Sequence, residues 1–173
     1  MWNEPLGLGA KPDELAGRVR TLELVEDGYR ATSRHAVRCV DAGTPGMPLY
    51  IWADGGASGI HERSLLVLED RCFCAVGPYI VALALPELEL LWSRRTDDAT
   101  CFGVYPTLGS TALISHGELL ISRLSLAGAI EWQVGGADIF TGPLAITSTF
   151  VAAEDFSGRR YTFDLDTGSV PSE

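Results

Sequence analysis

The residues of this 173-residue chain whose types could do chemistry are few: three histidines (His35, His61, His116), four cysteines and a handful of acidic pairs. His61-Glu62 places a base beside a carboxylate after the glycine-rich stretch Gly55-Gly56-Ala57-Ser58-Gly59. Adjacent residues of extended backbone point to opposite faces, so the two would cooperate only through a special turn, and a solvated loop is the plainer reading. His116-Gly117 reads as a tight hairpin turn in which the glycine supplies a positive φ. With so few histidines and no Gly-x-Ser-x-Gly elbow, no Ser-His-Asp triad is specified. Cys72-Phe73-Cys74 puts two thiols on one strand face, yet zinc sites favour gaps of about two to four residues and a second ligand pair, so a buried apolar face is expected, with no metal and no cofactor. The Asp54-Gly55-Gly56 turn does not lead from a strand into a helix, which leaves a phosphate-cradling loop unsupported. Asp97-Asp98 and Glu154-Asp155 are acidic pairs at loop positions of successive repeats, and these four residues are the candidates for holding a cation or a basic partner.

Charge narrows the partners. A formal net charge of −10 repels phosphate backbones, and the only basic pairs are Arg94-Arg95 and Arg159-Arg160, so nucleic acid is excluded as the expected ligand. Lys11 is the single lysine. Met1–Leu8 has neither a basic n-region nor an apolar h-region, and no run approaches the roughly 20 apolar residues of a membrane helix. The expectation is a cytoplasmic protein with reduced thiols at Cys39, Cys72, Cys74 and Cys101, and no membrane partner.

The elements that would position these residues are strands. Pro12–Arg18 suits one or two helical turns, with proline and acidic residues at the start. From Thr21 onward, short apolar or alternating runs bounded by Gly, Asp or Pro take over. Leu22–Val25 and Tyr29–Val40 are predicted strands around a turn at Glu26-Asp27-Gly28, and Asp41–Pro48 is a loop. The strongest signal is a repeat: Trp52, Trp92 and Trp132 stand forty residues apart, the latter two closing Leu90-Leu91-Trp92 and Ile130-Glu131-Trp132. Before them lie the hairpins Cys72–Val76/Tyr79–Leu85 and Thr111–Ser115/Glu118–Leu126. A third copy runs Phe150–Ala153, Glu154–Gly158, Arg159–Leu165. Each copy has an upstream apolar strand, at Leu65–Leu68, Cys101–Tyr105 and Leu144–Thr147. A meander sheet of this kind cannot bury its face alone, so neighbours must stack, and a large aromatic at a fixed position fills the wedge between them.

The phrase Tyr161-Thr162-Phe163-Asp164-Leu165-Asp166-Thr167-Gly168 resembles the strand-plus-turn "YALDxxTG" of pyrroloquinoline-quinone-type propeller repeats. Leu83–Trp92 and Leu124–Trp132 are looser versions of it. The resemblance covers about Ser64 to Val170 and implies a quinoprotein-type β-propeller repeat architecture. It implies little about activity, because many members are silent scaffolds. The dehydrogenases of that superfamily are several times longer and hold quinone and calcium in an axial channel; no adjacent cysteine pair and no Glu/Asn/Asp ligand set is present here, so a short non-catalytic member is expected.

The expected fold is therefore all-β: antiparallel meander repeats of about forty residues, a short or partial β-propeller, with a short N-terminal helical turn. One domain spans 1–173, with 1–52 as an N-terminal segment able to supply a first unit and 53–92, 93–132 and 133–173 as repeats. The expected function is a non-enzymatic protein-binding module, with a bacterial toxin antidote or an assembly scaffold as concrete versions and a cationic protein or a second copy as partner. The alternative is a small-molecule enzyme with a site on the loop end near His61 or His116.

Overall fold

The computed structural model describes residues 2–3, 20–41 and 43–171, so the helical turn expected at Pro12–Arg18 lies outside the described residues. The described residues form strands, turns and loops. In chain order, β1 (Trp2–Asn3), β2 (Arg20–Leu24), β3 (Ser33–Val37), a small ribbon of β4 (Val40–Asp41) and β5 (Thr44–Pro45), and β6 (Leu49–Ala53) come first. Then follow β7 (Leu65–Leu68), β8 (Arg71–Val76), β9 (Tyr79–Ala84) and β10 (Glu89–Arg95); β11 (Cys101–Pro106), β12 (Ala112–Gly117), β13 (Leu120–Ser125) and β14 (Ile130–Gly135); and β15 (Leu144–Ile146), β16 (Phe150–Glu154) and β17 (Arg160–Asp164). The second, third and fourth sheets are plain antiparallel meanders, in order β7 to β10, β11 to β14 and β15 to β17.

The first sheet departs from that pattern. Its order is β1-β3-β6-β2, and β2 runs parallel to β6, with Arg20 opposite Leu49 and Leu24 opposite Ala53. The long strand expected over Tyr29–Val40 is shorter because the Tyr29 N–H closes a turn on Glu26 (3.0 Å) and pairing with β6 starts at Ser33. Tyr29 itself is exposed.

Three apolar clusters join the four sheets in a row. Leu49, Ile51 and Ala53 of the first sheet pack on Cys72, Cys74, Val81 and Leu83 of the second. The opposite side chains of the same strands, Phe73, Ala75, Ile80 and Ala82, pack on Val104, Leu113 and Leu124 of the third. Ile114, Ile121 and Trp132 then meet Val151, Ala153 and Phe163 of the fourth. Strands covered on both faces read as continuous apolar runs, which is why Arg71-Cys72-Phe73-Cys74-Ala75-Val76 is buried from Cys72 onward.

The tryptophans explain how the sheets are fixed to one another. In β10 the register slips between Leu90 and Trp92, leaving Leu91 as a bulge, and in β14 Glu131 bulges in the same way just before Trp132. A bulge re-aims the following side chain. Each indole is thereby turned onto the next sheet: Trp92 Nε1 donates to the Leu126 carbonyl (3.1 Å) and Trp132 Nε1 to that of Leu165 (3.0 Å). Beneath the two rings lie Gly128 and Gly168, with φ of +83° and +70°, where a Cβ would stand 2.6 and 2.8 Å from the indole carbons. Trp52, by contrast, sits in unbulged β6, where regular alternation sends Ile51 into the core and Trp52 to the outward face under the Arg34 guanidinium (5.8 Å). The forty-residue spacing of the three tryptophans therefore does not give three equal wedges. The expected outcome in urea denaturation is a loss of about 3–5 kcal/mol for Trp132→Ala and roughly 1 kcal/mol for Trp52→Ala; equal losses would remove the distinction.

Candidate functional site

The loop-end acidic residues can be built up one by one. The chain crosses from β10 to β11 through Thr96-Asp97, and both side chains plug into the third sheet. Thr96 Oγ1 accepts from Ser115 Oγ (2.9 Å), and its carbonyl accepts from Ser122 Oγ (3.1 Å) and Gln133 Nε2 (3.3 Å). Asp97 is 2% exposed, its Oδ2 accepting the N–H groups of Leu119 and Leu120 (both 2.8 Å) and its Oδ1 that of Ala99 (2.6 Å). Asp155 is also turned inward, in the hairpin between β16 and β17. It accepts from Ser157 Oγ (2.7 Å), the Arg159 N–H (2.9 Å) and Tyr161 Oη (2.8 Å). Burial pushes the Asp155 carboxyl up, but those donors outweigh it and hold the group below the usual carboxylate range. Of the other two candidates, Asp98 is exposed and lies 3.7 Å from Arg95, and Glu154 is half-buried at the surface and pairs with Arg160 at 2.9 Å. In each predicted pair, then, one carboxylate is engaged by the fold and one is on the surface, and the two pairs lie on different loops.

The histidines divide similarly. His116 is on β12 opposite Ile121, not at the reversal, which falls at Glu118-Leu119. The physical reason is Asp97: its two hydrogen bonds hold Leu119 and Leu120, and a Cβ on Gly117 would meet Asp97 Oδ2 at 2.1 Å. Gly117 is thus required by the approach of a carboxylate, not by a positive φ. The His116 ring is enclosed by Phe102 (5.7 Å, edge-on) and Tyr105 (6.4 Å), and its Nε2 is buried without a hydrogen-bond partner. Burial lowers its pKa to about 4, against the opposing pull of the Phe140 backbone. At neutral pH it is an uncharged ring. His61 lies on the loop before β7, where its Nδ1 accepts the Arg63 N–H (3.2 Å). His35 is buried with Nε2 3.0 Å from Ser58 Oγ, in a small network with Ser33; Ser58 Oγ also accepts the Gly77 N–H (2.9 Å). The His35 Nδ1 has no partner, so no carboxylate completes a triad there. The four cysteines are free; Cys72, Cys74 and Cys101 are buried, and burial pushes the Cys101 thiol up to about 11. Among the described residues no three His, Cys, Asp or Glu side chains converge on a metal position.

Sequence reasoning did not single out a groove on the outer rim between the first and second sheets. It has a volume of about 290 Å³ and is lined by Arg20, Thr21, Leu22, Leu49, Leu88 and Leu90. Arg20 Nη1 donates to the Glu87 carbonyl and Nη2 to that of Leu88 (3.0 Å). The available signal was Leu88 itself, which stands forty residues before Gly128 and eighty before Gly168.

These sheets, packed on one another through three apolar clusters, define an all-β, β-propeller-like protein. No family model and no curated protein matches the chain. Among solved structures it is similar to the computationally designed Ika4 protein, with a TM-score of 0.55 at 13% identity over 67% of this chain and 76% of that one. It is also similar to the β-propeller domain of Cps50 (Swd1) from Myceliophteria thermophila, with a TM-score of 0.51 at 13% identity over 62% of this chain. The match spans 39% of that domain's chain, and at such identity the likeness is one of fold.

His116 generates a test. A histidine whose folded pKa lies below its unfolded value of about 6.5 binds fewer protons when folded, so its effect destabilises the fold progressively as pH falls from about 6.5 to 4. Over that window the wild-type protein is expected to lose roughly 3 kcal/mol more stability than His116→Phe. Parallel pH profiles of denaturant midpoints would contradict this.

Proposed function

We propose that the chain is a non-catalytic protein-binding module of the quinoprotein-type repeat kind, working in the cytoplasm and completed by another protein or by a second copy of itself. An assembly scaffold and an acidic antidote to a cationic toxin are concrete forms of this reading. The observation that carries it is the row of three cores. Four sheets share them in the order first to fourth, so the outer face of the fourth sheet has no described sheet packed on it. On that face Ala145, Ala152 and Thr162 stand side by side in register beside Phe150, with Val151 and Phe163 turned inward to the third cluster. The same face carries Glu154, Arg160 and Asp164, and a mixed apolar and charged sheet face of this kind suits another protein surface better than it suits a small molecule. The net charge of −10 favours a cationic partner, and exposed Asp98 would speed its approach over a Debye length of about 8 Å.

The test combines light scattering on the purified protein with association kinetics, at two salt concentrations, of whatever protein co-purifies from native lysate. A stoichiometric protein complex or self-association is expected, with a cationic partner's on-rate falling as salt rises. A strict monomer that captures nothing yet turns over a small molecule in a substrate screen would sink the reading in favour of an enzyme.

A further inference from the structure

At two of the three sheet-to-sheet junctions the outer wedge is plugged. An indole from the outermost strand of one sheet lies over a left-handed glycine in the turn of the next and donates to a carbonyl of that turn. Basic side chains complete the seal: Arg94 Nε donates to the Gly128 carbonyl (2.9 Å) and Arg123 Nη1 to that of Leu165 (2.8 Å).

The first junction has the same parts except the plug. Its outermost strand is β2, its turn is Leu85–Leu88, and residue 88 holds the same left-handed conformation (φ +57°) as Gly128 and Gly168. Arg20 supplies the guanidinium donor to the turn carbonyls. Among the described residues no aromatic fills this position, because Trp52 is on the far face of its sheet and β2 carries none. What remains is the groove of about 290 Å³. That is just below the roughly 300–1,000 Å³ of drug-sized ligand pockets and suits one large side chain. Its walls are leucine: Leu49 and Leu88 are buried, Leu22 is half-buried, and Leu90 is 48% exposed at the lip. Exposed Glu87 precedes Leu88 in the turn that Arg20 grips.

We infer that this open wedge is a docking site for an indole-type aromatic side chain of a partner protein, presented between basic residues. The aromatic takes the place that Trp92 and Trp132 occupy at the sister junctions, and the basic neighbours answer the chain's net charge of −10. The inference names the contact by which the protein-binding module proposed above would hold its partner, and it rests on that reading.

The experiment uses the full chain with 13C-labelled leucine methyl groups and three peptides: acetyl-Arg-Trp-Arg-amide, acetyl-Glu-Trp-Glu-amide and acetyl-Arg-Ala-Arg-amide. The expected result is a saturable shift of the Leu22, Leu49, Leu88 and Leu90 methyls with the first peptide, and affinity weaker by about tenfold or more for the other two. Leu90→Arg, a change at the exposed lip that leaves the core intact, is expected to abolish the shifts, and Leu22→Trp to do the same by filling the wedge from within. Equal shifts from the alanine peptide, no saturation, shifts at other leucines, shifts that persist in Leu90→Arg, or contacts from residues 4–19 to these methyls in the free protein would each overturn the inference. Peptide binding by a protein that lacks any natural protein partner would overturn the module reading and leave the site standing.

Discussion

The seating of an indole on a left-handed turn is the contact on which the stacking of these sheets depends. A meander sheet has no intrinsic reason to choose one angle or offset against its neighbour; apolar area alone is non-directional. The indole adds direction in two ways. Its N–H must reach one carbonyl, Leu126 or Leu165, and its ring must rest on a residue without a Cβ. Both conditions are met only at one sheet offset. The bulges at Leu91 and Glu131 are part of the same device, since without the extra residue the ring would follow the strand's alternation to the other side. Trp52 shows what regular alternation does: the ring faces outward.

Polar groups add a second constraint on the side where the chain crosses between sheets. Thr96 and Asp97 are buried in the junction between the second and third sheets, and each offers acceptors that groups of the third sheet occupy. A buried carboxylate that accepts three backbone N–H groups is costly to disturb, because removing it leaves those donors unpaired. Asp155 does comparable work inside a single hairpin, tying Ser157, Arg159 and Tyr161 together. Acidic residues that the sequence displays as a surface theme are thus divided between solvent and structure.

Much of the architecture was readable from residue order, and the failures have physical reasons. The hairpins from Cys72 to Ala84 and from Ala112 to Ser125 follow their apolar runs within a residue or two. The propeller-like stacking follows from the tryptophan phrases. The finer assignment to quinoprotein-type repeats rests on the phrase at Tyr161–Gly168 and its looser versions at Leu83–Trp92 and Leu124–Trp132. The turn placed at His116-Gly117 misfired because the carboxylate that needs Gly117 comes from twenty residues earlier, a tertiary contact that no local pattern reports. The inward aim of Asp97 was hidden for the same reason. The parallel pairing of β2 with β6 was equally hidden, since strand direction within a sheet leaves no trace in alternation. Nor could alternation reveal the outward face of β6: Tyr50 and Trp52 are themselves large and aromatic, so Leu49–Ala53 reads like a strand covered on both sides.

Leu88 brings these threads together. A leucine in the left-handed region costs about 1–2 kcal/mol relative to ordinary backbone, and glycine at that position would avoid the cost. Burial of the leucine side chain, which is 1% exposed, returns about 1.5–3 kcal/mol. The junction is therefore held without an indole. The strained conformation persists because the turn is gripped from outside by Arg20 and from inside by the first apolar cluster. A leucine, however, occupies less of the wedge than an indole and carries no donor. The first junction is thus stable enough to form and incompletely filled, and it is the only one of the three described junctions at which the outermost strand leaves its wedge open.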